Sequence, residues 1–197
     1  GTIMLIHGFS GSTFSWRKNI DTLCSSGFNV LVPDVPPFGF SSKDGNSNYS
    51  VTANSEKLWK LADSLYPNSE WILAGHSMGA TVAGAMAGMN PERVKKLVLI
   101  DGVFKGIETT NHFSIMGWLI SSSPIKRWAE IIATKKFYNH SKFSELLESA
   151  YSGKPDSVDV EGYLAPFKMK RMASAIFEMS YSKEVRAVSM KQIHCPI

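Results

Sequence analysis

The sequence predicts an α/β protein: a doubly wound, mostly parallel sheet with an inserted α-helical block that caps it. Three observations predict this. Short apolar runs alternate with amphipathic helical patterns through the first half. From Val103 to about Arg186 only helical patterns follow. The 197 residues are 44% hydrophobic and 19% charged, a globular composition with enough apolar mass for a core.

Ile3–Ile6 is the first strand. Phe14 to Ser25 follows as a helix with Trp16, Ile20 and Leu23 on one stripe and Gly27 as its stop. Phe28–Val32 is the next strand, ended by Pro33, and a loop rich in Gly, Pro, Ser and Asn runs from Pro36 to Asn48. The helix after it carries Leu58, Leu61, Ala62 and Leu65 at helical spacing. Trp71–Ala74 is a strand, Met78 to Met89 an Ala- and Gly-rich helix ended by Asn90-Pro91, and Val94–Ile100 a strand. Such a β-α-β-α-β-α-β order calls for parallel strands with helices on both faces.

In the second half, Ser123-Pro124 reads as a helix start, followed by a stripe of Ile125, Trp128, Ala129 and Ile132. Phe143, Leu146, Leu147 and Ala150 form a second stripe, and Met169, Met172, Ala173, Ile176 and Phe177 a third. The expected organisation is a core over 1–102, a helical cap over 103–186, and a return to the core over 187–197 with a strand starting near Cys195. A strand pattern begins right after Gly1 and another just before Ile197, so a fragment of a longer chain is expected.

The net charge of +4 would suit nucleic acid only if it were clustered. Residues 1–102 hold 8 basic and 8 acidic residues, and residues 103–197 hold 13 and 9, the basic ones scattered singly or in pairs. That is a solvated surface rather than a phosphate-binding stripe, and no nucleic-acid partner is expected. No apolar run has the roughly 18 residues of a membrane span. Cys24 and Cys195 cannot form a disulfide framework and favour a reducing compartment, cytoplasmic or organellar. Asn48-Tyr49-Ser50 and Asn139-His140-Ser141 fit the glycosylation pattern, which matters only in a secreted chain. The histidines are dispersed and the cysteines lack partners at ligand spacing, so no metal is expected. Gly8-Phe9-Ser10-Gly11-Ser12 lacks the lysine of a phosphate loop, and no cofactor is expected.

Gly75-His76-Ser77-Met78-Gly79 is a G-x-S-x-G sequence that follows an expected strand and opens an expected helix, the context that motif requires. A serine on so sharp a turn points its hydroxyl away from the sheet. Side chains at 75 and 79 would strike the neighbouring strand and helix, so glycine stands at both. The first amides of the helix face the place where negative charge would develop. His7-Gly8-Phe9 comes directly after the first strand, where Gly8 lets the chain turn a backbone N–H back toward the serine.

With these motifs the sequence resembles the α/β-hydrolase superfamily, from Ile3 through Gly102 in order: the His7-Gly8-Phe9 turn, the Asp34-to-Ser41 loop, the Ser77 elbow, and Leu97–Asp101 after it. The resemblance implies Ser77 as nucleophile and the backbone amides of Phe9 and Met78 as an oxyanion hole. His76 is expected to pack away from the reacting centre. The loop Asp34-Val35-Pro36-Pro37-Phe38-Gly39-Phe40-Ser41 resembles D-x-P-G-x-G-x-S, with Pro37 where glycine is usual. Proline fixes φ negative, so any turn needing positive φ there must be rebuilt, either as an altered pocket edge or as a plain surface turn.

A serine needs a base, and the base an orienting acid. The family order is Ser, then Asp or Glu, then His. His7 and His76 belong to motifs at or before the elbow, His112 and His140 fall in the cap, and His194 precedes the strand expected at Cys195. None sits on a loop after a final strand, so acid and base are both expected beyond Ile197. The alternative acid is Asp101, at the end of the strand after the elbow helix.

Two functions follow: a serine hydrolase of ester-type substrates, or a non-catalytic ligand-binding or receptor-like protein on the same scaffold. The cap holds Phe113, Met116, Trp118, Trp128, Phe137, Phe143, Phe167, Met169, Met172 and Phe177, which either line an apolar acyl pocket or pack cap against core. A small, apolar, ester-like molecule is the expected partner. Epoxide hydrolases and haloalkane dehalogenases resemble this architecture but attack with aspartate, and Ser77 argues against both. Oligomeric state is not legible.

Overall fold

The computed structural model describes residues 1–45, 47–108, 132, 136, 138–151 and 153–197. Ile125, Trp128 and Ala129 of the stripe expected over 125–132, and Phe113, Met116, Trp118 and Phe137, lie outside the described residues, while Ile132 is exposed.

Four strands, β1 (Thr2–Ile6), β2 (Asn29–Leu31), β3 (Trp71–His76) and β4 (Val94–Ile100), form one parallel sheet in the order β2-β1-β3-β4. β1 lies in register with both neighbours, Thr2 opposite Asn29 on one side and Trp71 on the other. Side chains alternate faces along a strand. Ile3, Leu5 and Ala74 therefore meet Trp16 and, through Ile20 and Leu23, α1 (Arg17–Ser25). Met4, Ile6, Trp71 and Leu73 meet α2 (Val51–Leu65) and α3 (Met78–Met89) on the opposite face. Helices on both faces explain why the strands read as continuous apolar runs rather than alternating ones.

α3 packs closely because it is made of Gly and Ala: a Cβ on Gly84 would lie 2.3 Å from the Phe104 ring and one on Gly88 2.4 Å from Val188. The Trp59 indole N–H donates to Met86 O at 3.1 Å and joins α2 to α3.

The stripe expected for α2 needs correction. Leu58 and Ala62 are buried, but Leu61 and Leu65 are exposed. The buried face runs instead through Thr52, Ala53, Asn54, Ser55, Leu58, Trp59 and Ala62. Its polar members are satisfied by distant groups. Glu184 accepts from Val51 N, Thr52 N and Thr52 Oγ1 at 3.1, 2.9 and 2.6 Å, and Asn54 Nδ2 donates to Pro36 O at 2.6 Å. A carboxylate at a helix N-terminus meets both free amides and the positive end of the helix dipole.

Three helices follow among the described residues: α4 (His140–Tyr151), α5 (Ser157–Leu164) and α6 (Met172–Met179). Phe143, Leu147, Val160, Leu164, Phe167 and Met172 form a cluster that closes on Phe38 and touches Met78. The helical block therefore sits over the carboxyl ends of β1 and β3. Leu146, expected on the buried stripe of α4, is exposed. The strand expected near Cys195 does not form. The last residues run beside β4, with one ladder-type bond from Leu97 N to Pro196 O at 3.0 Å. An isolated antiparallel bridge, Ile107 to Val188, ties the ends of the helical block together. No helix among the described residues is long and apolar enough to cross a membrane.

Candidate active site

β3 runs two residues further than its apolar stretch, through Gly75 and His76, and α3 starts at Met78. Ser77 alone makes the turn, at φ 53°, ψ −117°. That conformation is strained for a residue with a side chain. It is held on both sides: Ser77 N donates to Ile100 O at 2.9 Å, and Ala80 N donates to Ser77 O at 2.9 Å. The glycines either side have no room for a side chain. A Cβ on Gly75 would lie 2.1 Å from Gly79 O, and one on Gly79 2.2 Å from Ile6 O. These are backbone atoms of the helix and of β1, which cannot swing aside. The Ser77 hydroxyl has no hydrogen-bond partner among the described residues.

The turn after β1 presses against this elbow. A Cβ on Gly8 would stand 3.2 Å from Ser77 Cβ and 3.0 Å from His76 Nδ1. Gly11 N donates to Gly8 O at 3.1 Å, closing the turn around Phe9. Neither Phe9 N nor Met78 N has a hydrogen-bond partner among the described residues. His7 is fully buried and anchors the turn. Val35 N donates to its Nε2 at 2.9 Å, so that nitrogen is bare, and Nδ1 carries the proton toward Gly8 O at 2.8 Å. Burial pushes the His7 imidazole below its ordinary value, against the opposing pull of the Gly8 carbonyl and of Asp34. With both nitrogens committed, His7 is a structural brace.

The Asp34–Ser41 loop is largely buried rather than a plain surface turn. Val35 and Phe38 are fully buried, and Phe38 meets Phe9 edge-on at 4.9 Å. The Asp34 carboxylate gathers Thr13 N, Thr13 Oγ1 and Phe40 N at 2.6, 2.9 and 2.7 Å. The positive φ falls on Gly39, at 60°, where a Cβ would sit inside that carboxylate. Pro37, two residues earlier, has no positive φ to adopt. Lys43, also buried, donates to Gly39 O at 2.9 Å and Ser41 O at 2.7 Å and touches Met169 Sδ at 3.4 Å. Burial lowers its ammonium, partly offset by Asp34.

His76 does not pack away. Its side chain is 47% exposed, and Nε2 lies 3.9 Å from Asp101 Oδ2. Asp101 itself has φ 46° and a side chain 90% exposed. Both line a cavity of about 800 Å³. One wall is Gly8, Phe9, Ser15, Trp16 and Asn19; the other is Phe143, Leu146, Leu147, Ala150, Tyr151 and Tyr163. Leu146 is exposed because it faces this space. The cavity reaches the two neighbours of Ser77, Gly8 and His76, but not Ser77 itself, so the nucleophile reading stands on the geometry of the turn. The Trp16 indole N–H is buried with no hydrogen-bond partner among the described residues. Sequence reasoning missed Trp16, Tyr151 and Tyr163 as wall residues, and nothing local distinguishes them from core. Among the described residues no group of three His, Cys, Asp or Glu could hold a metal ion.

Residues 1–132 match the family model described as the alpha/beta hydrolase fold. Lipase 3 of Moraxella sp. is 32% identical over 99 residues, covering 50% of this chain and 31% of the relative. An epoxide hydrolase of Caballeronia sordidicola is 32% identical over 94 residues, covering 47% and 28%. The crystal structure of Cfl2 from Burkholderia cenocepacia superposes with a TM-score of 0.67 at 25% identity, over 92% of this chain and 63% of that one. The matched stretch thus spans about a third of these curated relatives.

Proposed function

The chain belongs to the α/β-hydrolase fold family, and on that premise we propose that its parent protein is a serine hydrolase of small, apolar, ester-type substrates. One observation carries the reading: Ser77 stands alone at φ 53° between a strand and a helix, its hydroxyl unpartnered among the described residues. A structural serine at a helix start would hold the helix with its side chain. Ser77 makes no such bond.

In the proposed reaction Ser77 Oγ attacks the carbonyl carbon of the ester and gives its proton to a base. The amides of Phe9 and Met78 receive the carbonyl oxygen as it becomes an oxyanion. Each such donor lowers the barrier by about 3–4 kcal/mol in comparable sites. The intermediate collapses, the base protonates the departing alkoxide, and water then releases the acyl group by the same route. Base and acid are proposed to come from outside the described residues, since both nitrogens of His7 are engaged and the relatives extend well beyond the matched stretch. Asp101 is the alternative acid. A serine at the elbow favours ester over epoxide chemistry, and the apolar wall of α4 suits an acyl chain or aryl group.

A fluorophosphonate probe tests this on the full-length protein. The parent should be labelled and Ser77→Ala should not. Equal labelling of both would refute the assignment. A parent that stays unlabelled yet binds apolar ligands would favour the non-catalytic reading.

A further inference from the structure

Arg17, the first residue of α1, lies between the two residues Trp16 and Asn19 that line one wall of the cavity. Its guanidinium pairs with Asp159 Oδ1, 142 positions away in the chain. Asp159 is buried, and its own backbone N–H is fixed by the helix cap Asp156 at 2.6 Å. The same guanidinium donates to Phe14 O at 3.1 Å, stacks 4.2 Å over the Phe14 ring and lies 5.8 Å from the Tyr163 ring. Phe14 and Tyr163 meet edge-on at 5.3 Å. A Cβ on Gly162 would lie 2.2 Å from the Phe14 ring, so α5 approaches the core as closely as a backbone can. Tyr151, the last residue of α4, lies within electrostatic reach of both Tyr163 and Arg17. Tyr151 and Tyr163 form part of the opposite cavity wall.

A guanidinium suits this place because one planar group can stack on an aromatic face while its edge holds a carboxylate and a carbonyl. An ammonium has no plane to stack. A charge pair of this burial also tolerates no half-measures: removing one partner leaves the other charged and unmatched.

We propose that Arg17 is a positioning residue that clasps α5, and with it Tyr151 and Tyr163, onto the core, and so sets the depth of the acyl side of the cavity. The selectivity part of this proposal rests on the hydrolase reading of Ser77; the clasp itself does not.

The test uses Arg17→Met, Arg17→Lys, Asp159→Asn and the Arg17→Met/Asp159→Asn pair in the full-length protein. Amide exchange over 157–164 should quicken about tenfold in Arg17→Met while β1 and β3 keep the parent's protection. Arg17→Lys should fall between the two, keeping the charge and losing the stack. The double variant should be no worse than Arg17→Met, since both changes remove one interaction. On p-nitrophenyl esters, KM for the octanoate should rise about fivefold in Arg17→Met, with kcat for the acetate within about twofold of the parent. Unchanged exchange over 157–164 in Arg17→Met and Arg17→Lys, or additive effects in the double variant, would overturn the clasp. Faster exchange with an unchanged octanoate KM would overturn its role in selectivity. A parent without turnover and unlabelled at Ser77 would instead defeat the hydrolase reading, and the exchange data would still decide the clasp.

Discussion

Gly79→Ala probes the elbow without touching a reacting atom. A methyl group at this position would lie 2.2 Å from Ile6 O and 2.6 Å from His7 O, about 1.2 Å short of ordinary contact with the nearer. Both oxygens belong to the end of β1 and the turn that follows, where strand pairing with β3 and the His7 brace leave little slack. Relief must come from α3 moving away from the sheet. Inserting one carbon into a packed site costs about 1–3 kcal/mol, and backbone opponents place this case at the upper end. Replacing glycine inside a helix returns about 1 kcal/mol of helix propensity. The net loss is therefore about 2 kcal/mol, which lowers Tm by about 4–8 °C in a chain of this size. A shift of about 1 Å in the proposed nucleophile, Ser77, should also slow probe labelling about 100-fold. Gly153→Ala is the control: a methyl there meets nothing within 4 Å, so Tm should hold or rise slightly. Thermal melts and labelling rates on the three proteins decide the matter. A Gly79→Ala protein that melts within about 1 °C of the parent and labels at the parent rate would refute the close-approach argument.

His7 is buried neutral with its pKa pushed down, so the unfolded state takes up a proton that the folded state refuses. Its contribution is intact above the ordinary imidazole value and is lost as pH falls below about 6.5, at up to about 1.4 kcal/mol per pH unit. Urea melts at pH 7.5, 6.0 and 5.0 should show that slope, and His7→Gln should flatten it; an unchanged slope would contradict the bracing role. Glu184→Ala removes acceptors from three donors at the start of α2 and should cost about 1–2 kcal/mol in a urea melt, with little change if water replaces the carboxylate. Lys43→Met strands the Gly39 and Ser41 carbonyls and should cost about 1–3 kcal/mol; a neutral result in a urea melt would show that those carbonyls reach solvent.

What the sequence made legible was local. α3 and β4 take the expected bounds because Gly75, Gly79 and Asn90-Pro91 punctuate the chain at the positions where it turns. The elbow was readable because its requirements, two glycines and a serine, fall within five residues. The face of α2 was not, because Thr52, Asn54 and Ser55 are buried against partners that include Glu184, more than 130 residues away. A period of apolar residues cannot report a polar face satisfied from so far off. His76 was misplaced for a related reason. The position before a serine at such an elbow tends to point into the fold, but here Gly8 leaves its ring room beside the cavity and Asp101 faces it from the end of β4.

The same division separates the chemistry of the site from its selectivity. The attack geometry proposed for Ser77 is written in short motifs, since the elbow and the Gly8 turn depend on backbone shape. The cavity is assembled from Trp16 and Asn19 on one side and from Leu146, Tyr151 and Tyr163 on the other, residues whose own neighbourhoods look like ordinary helix. What brings them together is a set of non-local contacts: Arg17 to Asp159, Phe14 to Gly162, Lys43 to Met169, and Arg171 Nε to Lys43 O at 2.8 Å. Each joins a loop or helix start of the first half to the helical block. Substitutions at these contacts should therefore alter which acyl groups fit while leaving the turn at Ser77 intact, whereas substitutions at Gly75 or Gly79 should reduce reaction with every acyl group alike. An enzyme whose acyl preference shifted in Gly79→Ala but not in Arg17→Met would break that division.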